Sequence, residues 1–452
     1  MSRFLQVSLN IKTILQETTL HRRREKLGTM IGGLGLGDAY SATIGRIKAQ
    51  GVDRTRLGMA ALMWISHSQR PLSADEICHA LAVEIGSTDI NPNNVPSIKT
   101  VLSCCQGLAA IDEGALAVRL IHFTLKEYLS RHADLFEQPH SKIAETCLTY
   151  LKFQAINAPP AKYPRVTPFL TYSSMHWGTH MRMELSDHSR FLALDLFDRY
   201  DSHISAEICG WFAPEQYRVS PRPFSVLRCI SYFGIGELAI DLLRTKGWDV
   251  NQGDRDGMTL LMWAARYGHE ELVRLLLQQR HTRPDMADTK YGRTALSWAA
   301  ESGHEGVVRL FLGLLFVNPS SIGRRWGKTP QIMSLLFGRK YVNPDRPDND
   351  GRTPLSWAAS GGHDGVVKLL LGREDACPDR PDKDGQTPLL WAARCWHDGA
   401  VKLLLGREDV RPDRPDKRGL TPLIWATLCR RKGMLELLQA REATGPSMIQ
   451  GS

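Results

Sequence analysis

DGRTPLSWAASGGHDGVVKLLLGREDACPDRPDK (residues 350–383) is followed at once by DGQTPLLWAARCWHDGAVKLLLGREDVRPDRPDK (384–417), and the two match at 26 of 34 positions. Upstream, DGMTLLMWAARYGHEELVRLLL (256–277) and YGRTALSWAAESGHEGVVRLFL (291–312) share the same skeleton. The glycines that open these units, Gly257, Gly292, Gly327, Gly351, Gly385 and Gly419, are spaced 35, 35, 24, 34 and 34 residues apart. A fixed period of this size is the signature of a stacked-repeat solenoid, in which each unit buries its apolar side against the next.

The period also disposes of a phosphate-loop reading of GRRWGKTP (323–330). A P-loop needs G-x-x-x-x-G-K-[ST], so that consecutive backbone N–H groups curl around phosphate oxygens. Five residues before Gly327 stands Ile322, and Pro330 removes the amide after Thr329. Gly327 is instead in phase as the start of a repeat, ten residues short, and a kink or loosening of the array is expected there.

Within a unit the residues account for themselves. Gly-x-Thr-Pro starts a helix, because Thr caps free N–H groups and Pro has none to satisfy. An Ala-Ala pair lets helices approach closely. Gly-His, as at Gly362-His363, ends the first helix and turns the chain. Val366, Val367, Leu369, Leu370 and Leu371 supply a second, buried helix. The GREDxxPDRPDxxG loops are too polar and proline-rich for a core. The pattern resembles the ankyrin repeat, over about half the chain. The family's histidine within T-P-L-H is replaced by Met262, Ser297, Ser356, Leu390 or Ile424, so its hydrogen bond between repeats is expected to be missing or altered. A tryptophan follows each time (Trp263, Trp298, Trp357, Trp391, Trp425) and reads as packing between repeats. Trp396 stands where a turn glycine is expected, which costs a bulky residue energy. FSVLRCISYFGIGELAIDLLRTKG (224–247) reads as a degenerate first unit and LTPLIWATLCRRKGMLELLQ (420–439) as a last one.

The resemblance implies a surface that binds a protein ligand on its concave face, with no catalytic pocket. The differences within the near-duplicate pair cluster between the loop tip and the end of the first helix. The candidate protein-binding residues are therefore Arg352, Ser356, Ser360, Gln386, Leu390, Arg394 and Trp396.

Residues 57–135 read as a small helical domain: two apolar-periodic helices joined at Pro71, with Ser73 and Asp75–Glu76 as a helix start, then a helix, a short hairpin (108–112, 116–120) and a closing helix. That is a winged-helix outline, read as structural. Arg119, Lys126 and Arg131 would be the DNA contacts of the alternative reading, but no basic recognition helix stands out. LGLGDAYSATIGRIKAQG, LMWISHSQRPLSADEICHAL, VRLIHFTLKEYL and YPRVTPFLTYSSMHWGTHM resemble the region that follows the NACHT nucleotide-binding domain in NLR-like ankyrin proteins of filamentous fungi, over residues 27–181. His122 matches the winged-helix histidine that, in related signalling ATPases, contacts the ADP phosphate. No Walker loop is present in this sequence, so His122 would serve a cofactor only if a nucleotide domain were supplied in trans.

The expected architecture is mostly α. It comprises a leader (1–26), a helical remnant (27–56), the winged-helix-like domain (57–135), a helical connector (136–221), ankyrin repeats (222–443, with a shortened unit at 326–349) and a tail (444–452). Nine scattered cysteines without C-x-x-C or C…H spacing argue against a zinc site or a disulfide framework. The net charge of +9 resides mostly in the second half, since residues 1–221 carry 23 Lys/Arg against 21 Asp/Glu; in residues 222–452 bases alternate with acids rather than forming a stripe. No cofactor, metal, membrane or nucleic-acid partner is expected, and the protein reads as cytoplasmic or nuclear. Function is expected to be non-catalytic recognition within an NLR-like (STAND) system, acting without its own NTPase. The alternatives are a fragment of a longer NACHT–ankyrin receptor and a winged-helix DNA-binding regulator.

Overall fold

The computed structural model describes residues 18–23, 36–157, 167–212, 224–245, 247–279, 281–313, 342–373 and 375–444. The chain divides into two units, 1–224 and 225–452.

The first unit begins with helix α1 (Leu36–Lys48) and α2 (Val52–His67), then β1 (Leu72–Ser73), α3 (Ala74–Ala82) and α4 (Ile98–Cys104). The hairpin β2 (Ala109–Asp112) and β3 (Ala117–Leu120) follows, then α5 (Phe123–Arg131). The strands form an antiparallel sheet in the order β1-β3-β2, with Leu72 opposite Val118 and Ala109 opposite Leu120. This is the winged-helix arrangement, with one adjustment. The expected boundary at residue 57 cuts α2, which starts at Val52 behind Gly51; α1 packs on α2 and α5 and so adjoins the domain. Ser73 starts α3 with a full capping box: its hydroxyl accepts from the Glu76 N–H while the Glu76 carboxylate accepts from the Ser73 N–H. Arg70 grips the same carboxylate at 2.9 and 2.5 Å. Burial alone would raise the Glu76 carboxyl, but Arg70 and the Ser73 N–H outweigh it and hold it below the ordinary range.

Helices α2 and α4 touch backbone to backbone at Gly58, where a Cβ would lie 2.7 Å from the Cys104 carbonyl oxygen. Gly58→Ala is expected to cost about 2 kcal/mol, since neither helix can retreat without opening the core. Urea unfolding of the variant checks it, and an unchanged midpoint would refute the contact.

The rest of the first unit is helical: α6 (Pro139–Leu151), α7 (Leu170–Met183), α8 (Asp187–Phe197) and α9 (Ile204–Phe212). Helix α7 lies against α6 and α9 around fully buried Tyr150, Phe169, Tyr172 and Trp177. Among the described residues no helix is long and apolar enough to cross a membrane.

The second unit is a stack of helix pairs: α10 (Val226–Phe233) with α11 (Gly236–Thr245), α12 (Leu260–Tyr267) with α13 (Glu270–Leu277), and α14 (Ala295–Glu301) with α15 (Glu305–Phe311). Then come α16 (Pro354–Gly361) with α17 (Asp364–Leu371), α18 (Pro388–Arg394) with α19 (Asp398–Leu405), and α20 (Pro422–Leu428) with α21 (Lys432–Thr444). Thr259, Thr294, Thr353, Thr387 and Thr421 each cap the first helix of a pair. Two hydrogen-bond columns join the layers. The loop tips, or fingers, are linked by Thr289 N–H to Asp256 O (3.1 Å), Lys383 N–H to Asp350 O (2.8 Å) and Lys417 N–H to Asp384 O (2.9 Å). The turn histidines reach back to the preceding layer: His269 Nε2 to Tyr232 O (3.0 Å), His304 to Arg266 O (2.9 Å) and His397 to Ser360 O (3.1 Å). The histidine absent from T-P-L-H is thus not replaced in place. Its linking role falls to the Gly-His histidine.

Both columns run straight across residues 314–341. Asn349 N–H donates to Tyr291 O at 2.8 Å, and His363 Nε2 lies 2.8 Å from Glu301 O. Helices α14 and α16 are in direct contact. The units of Gly292 and Gly351 are therefore consecutive layers, and the separate unit expected at 326–349 does not stand between them. Gly327 lies outside the described residues; the described end, 342–349, forms the finger of the Gly351 layer.

At the turn after the first helix Gly362 takes φ +69°, and a Cβ there would sit 2.3 Å from His397 Nδ1. Trp396 occupies the same turn one layer on, at φ +67°. It fits because Arg431 replaces the next histidine and lies over the indole, 4.9 Å from its centroid. Trp396→Gly is expected to stabilise the array by about 1 kcal/mol, the cost of a left-handed side chain less the lost cation–π contact. A melting temperature no higher than wild type would count against it.

Candidate functional site

Four of the five tryptophans of the first helices are held by finger aspartates. Asp348 shows how. Its Oδ1 accepts the N–H groups of Asp350 (3.0 Å) and Arg352 (2.9 Å), closing the finger, and its Oδ2 accepts the indole N–H of Trp357 at 2.9 Å. Asp254 and Asp382 repeat the pattern on Trp263 (2.8 Å) and Trp391 (2.9 Å), and Asp288 holds Trp298 at 3.2 Å. In the last layer Asp416 Oδ2 instead takes Gln386 Nε2 at 3.5 Å, and the Trp425 indole N–H is left buried without an acceptor.

Held this way, the indoles alternate with arginines. Arg266 lies 4.4 Å from the Trp298 ring centroid and Arg293 4.5 Å from the same ring and 3.5 Å from Trp357. Arg352 lies 3.5 Å from Trp357 and 3.7 Å from Trp391; Arg394 is 5.0 Å from Trp391 and 5.5 Å from Trp425. The result is a continuous column across five layers, from Arg266 to Trp425, on the face made by fingers and first helices. Cation–π contacts of this kind contribute about 0.5–2 kcal/mol each, more as they are desolvated.

The charges in the column are unequally matched. Glu301 pairs with both Arg266 (3.3 Å) and Arg293 (3.0 Å), and Arg293 also faces Asp348 at 3.6 Å. Burial lowers the Arg266 guanidinium from its ordinary value. Arg352 has no ion pair among the described residues, and its Nε is buried without an acceptor. Burial first, then the neighbouring Arg293 charge, push it down to about 10.

Of the seven candidate binding residues, Arg352, Ser360, Arg394 and Trp396 reach the surface, Arg394 and Trp396 being exposed. Ser356 and Leu390 do not: both are 0% exposed, because the next layer covers that position. Gln386 is also buried, engaged by Asp416 and by Arg394 at 3.3 Å. Arg266, Arg293, Glu301 and the finger aspartates belong to the column and were not among the candidates. The sequence does carry their mark, an Asp nine residues before the Trp in four layers and ten in the Asp288 layer.

In the winged helix, His122 caps α5, its Nδ1 accepting from the Thr124 N–H at 3.3 Å. Arg119 is paired with Asp112 at 2.9 Å. Helix α4, ahead of the wing, carries Lys99 as its single base and buries Val101 and Cys104, which is poor equipment for a duplex.

Comparison with known proteins follows the same division. A family described as "Ankyrin repeats (3 copies)" matches residues 227–320, 325–416 and 376–445. One described as "GPI inositol-deacylase, winged helix domain" matches residues 46–138. Acyl-CoA-binding domain-containing protein 6 of Bos taurus is 54% identical over 37 residues, 8% of this chain and 13% of that protein. So short an alignment carries no argument about the rest of either chain. The chain thus carries a winged-helix domain in its first unit and an array of ankyrin repeats, modules of protein–protein interaction, in its second.

Proposed function

We infer that the chain is a non-catalytic recognition protein whose ankyrin array takes a protein ligand on the finger-and-first-helix face. Its winged helix and connector dock on a NACHT-bearing protein of a fungal NLR-like (STAND) system. The observation that carries the reading is the tryptophan–arginine column. Aromatic and arginine side chains on rigid elements are the anchors that dominate protein interfaces. The winged-helix match and the resemblance of residues 27–181 support the second half of the reading. Residues 1–452 hold no Walker loop; where the nucleotide domain lies on another protein, the chain acts in trans as decoy, adaptor or regulator, in the cytoplasm or nucleus. As the back half of a longer receptor it would serve the same role in cis, and transcript sequencing upstream of Met1 separates the two.

The test is cross-linking mass spectrometry of the tagged full chain in its source cells. Ligand cross-links should concentrate at Lys383 and Lys417 in the fingers. Arg394→Glu, at the exposed end of the column, should reduce ligand recovery about tenfold, as loss of an interface anchor does. Undiminished recovery, with cross-links elsewhere, would overturn the assignment of this face.

A further inference from the structure

The inference rests on the protein-recognition reading and names the chemistry of the ligand. In the Gly292 layer, Arg293 is matched by a carboxylate eight residues on in its own layer, Glu301, at 3.0 Å. In the Gly351 layer Arg352 takes the place of Arg293, and the residue eight positions on is Ser360. Ser360 is half-buried, and its hydroxyl is spent on the Trp357 carbonyl at 3.1 Å. The other arginines of the column have partners: Arg266 and Arg293 share Glu301, and Arg394 donates to Gln386. Arg352 is the third of the column's four arginines, and at its position eight the carboxylate of the Gly292 layer is exchanged for a small hydroxyl.

The stacking dictates what can fill that place. With Trp357 and Trp391 against its guanidinium at 3.5 and 3.7 Å, only the edge of the guanidinium remains for hydrogen bonding. That edge is a planar fork of donors, matched by a carboxylate in bidentate geometry. Asp348, Asp382 and Glu301 act on this cation only from a distance, none of them in an ion pair with it, and a desolvated cation gains more from a direct carboxylate contact than one in water. A phosphodiester backbone fits less well. Its run of charges needs an unbroken basic stripe, and in the fingers Asp350 and Asp384 alternate with Lys383 and Lys417, whereas a single carboxylate needs only the one fork of Arg352.

We propose that Arg352, clamped between Trp357 and Trp391 with Ser360 beside it, is the anchor point for an Asp or Glu side chain of the protein ligand. The array thereby selects segments with an acidic residue at one fixed position.

Two variants have precedents inside the protein. Arg352→Gln copies Gln386, and Ser360→Glu copies Glu301, so both side chains already occupy equivalent positions in neighbouring layers. The experiment pans a phage-displayed library of random dodecapeptides on the full chain, then measures Kd of the enriched peptides by fluorescence anisotropy. The expected result is enrichment of peptides sharing one Asp or Glu, whose replacement by Asn or Gln weakens binding about tenfold in the wild type and little in Arg352→Gln. Ser360→Glu, by supplying the internal carboxylate, should weaken binding about as much. Enriched peptides with no common acid, or an acid not coupled to Arg352, would overturn the proposal while leaving protein recognition standing. Failure of any peptide to enrich would remove both. Displacement of the peptides by a thymidine dodecanucleotide at lower concentration than by free peptide would overturn the proposal in favour of a nucleic acid.

Discussion

Lowering the pH from 7.5 to 5 is expected to destabilise the first unit by about 2 kcal/mol through His180 alone. His180, on α7, is fully buried and faces α6. Its Nε2 lies 2.8 Å from the Tyr172 hydroxyl, which accepts from the Gln69 N–H, and its Nδ1 lies 2.8 Å from His140 Nδ1 on α6. Two nitrogens at that distance share one proton, so the two rings cannot both be charged without losing the bond. His67 on α2 lies edge-on to His140 at 5.3 Å, and His176 lies one turn before His180 on α7. Burial, reinforced by the neighbouring histidines, pushes His180 down to about 3, and burial with Arg70 pushes His176 to about 4. His67 and His140 are lowered by burial as well, Glu184 opposing in both and Lys126 adding to the effect on His67.

A folded-state value below the unfolded one means that the unfolded chain takes up the proton first. Stability is therefore full above about pH 6.5 and falls as pH drops, down to the folded value. Glu76, held low by Arg70, loses its contribution only below its unfolded value of about 4.5, so between pH 7 and 5 the histidines dominate. Urea unfolding across this range should show the slope, and His180→Gln, which keeps hydrogen-bonding atoms but cannot ionise, should flatten it by about one proton. An equal slope in the variant would sink the idea.

Asp348→Ala is expected to cost about 4 kcal/mol, the second large effect. The carboxylate accepts from two backbone N–H groups and one indole, and hydrogen bonds to a charged acceptor contribute about 1.5–3 kcal/mol each. Water can reach part of the finger, so the sum is an upper bound. Asp416→Ala should cost about half as much, since besides the backbone donors of Arg418 and Leu420 its carboxylate takes only the long 3.5 Å bond from Gln386 in place of an indole. Hydrogen exchange of peptides covering residues 346–371 in the Asp348 variant and 414–428 in the Asp416 variant would compare them. Equal losses would mean that the indole bond contributes nothing. Asp348→Asn should fall between wild type and Ala, because its amide oxygen accepts but carries no charge.

The repeat half was legible because each layer solves the same local problem with the same residues. Thr-Pro starts a helix, Gly-His ends it, and an apolar run buries the second helix. The winged helix was legible from the Ser73 start, the hairpin and the closing helix. Less was legible of the site. Ser356, Leu390 and Gln386 differ between the two near-identical layers, yet all three are buried. A position that varies in sequence need not face solvent when its neighbour one layer away is free to adapt. The direct contact of the Gly292 and Gly351 layers was hidden for a related reason. A glycine in phase marks a repeat in the sequence, but which layers touch is settled by the helices that pack on one another, here α14 and α16.

The sequence by itself determined the kind of element each stretch forms, because caps, turns and apolar periods act within a few residues. It also determined that the elements repeat. Only the tertiary structure decided which charges are matched. Whether Arg293 or Arg352 finds a carboxylate depends on the rotation that brings position eight of a layer beside its own finger, and on the indoles stacked from two layers at once. Those distances are set by packing between layers, which no single period encodes.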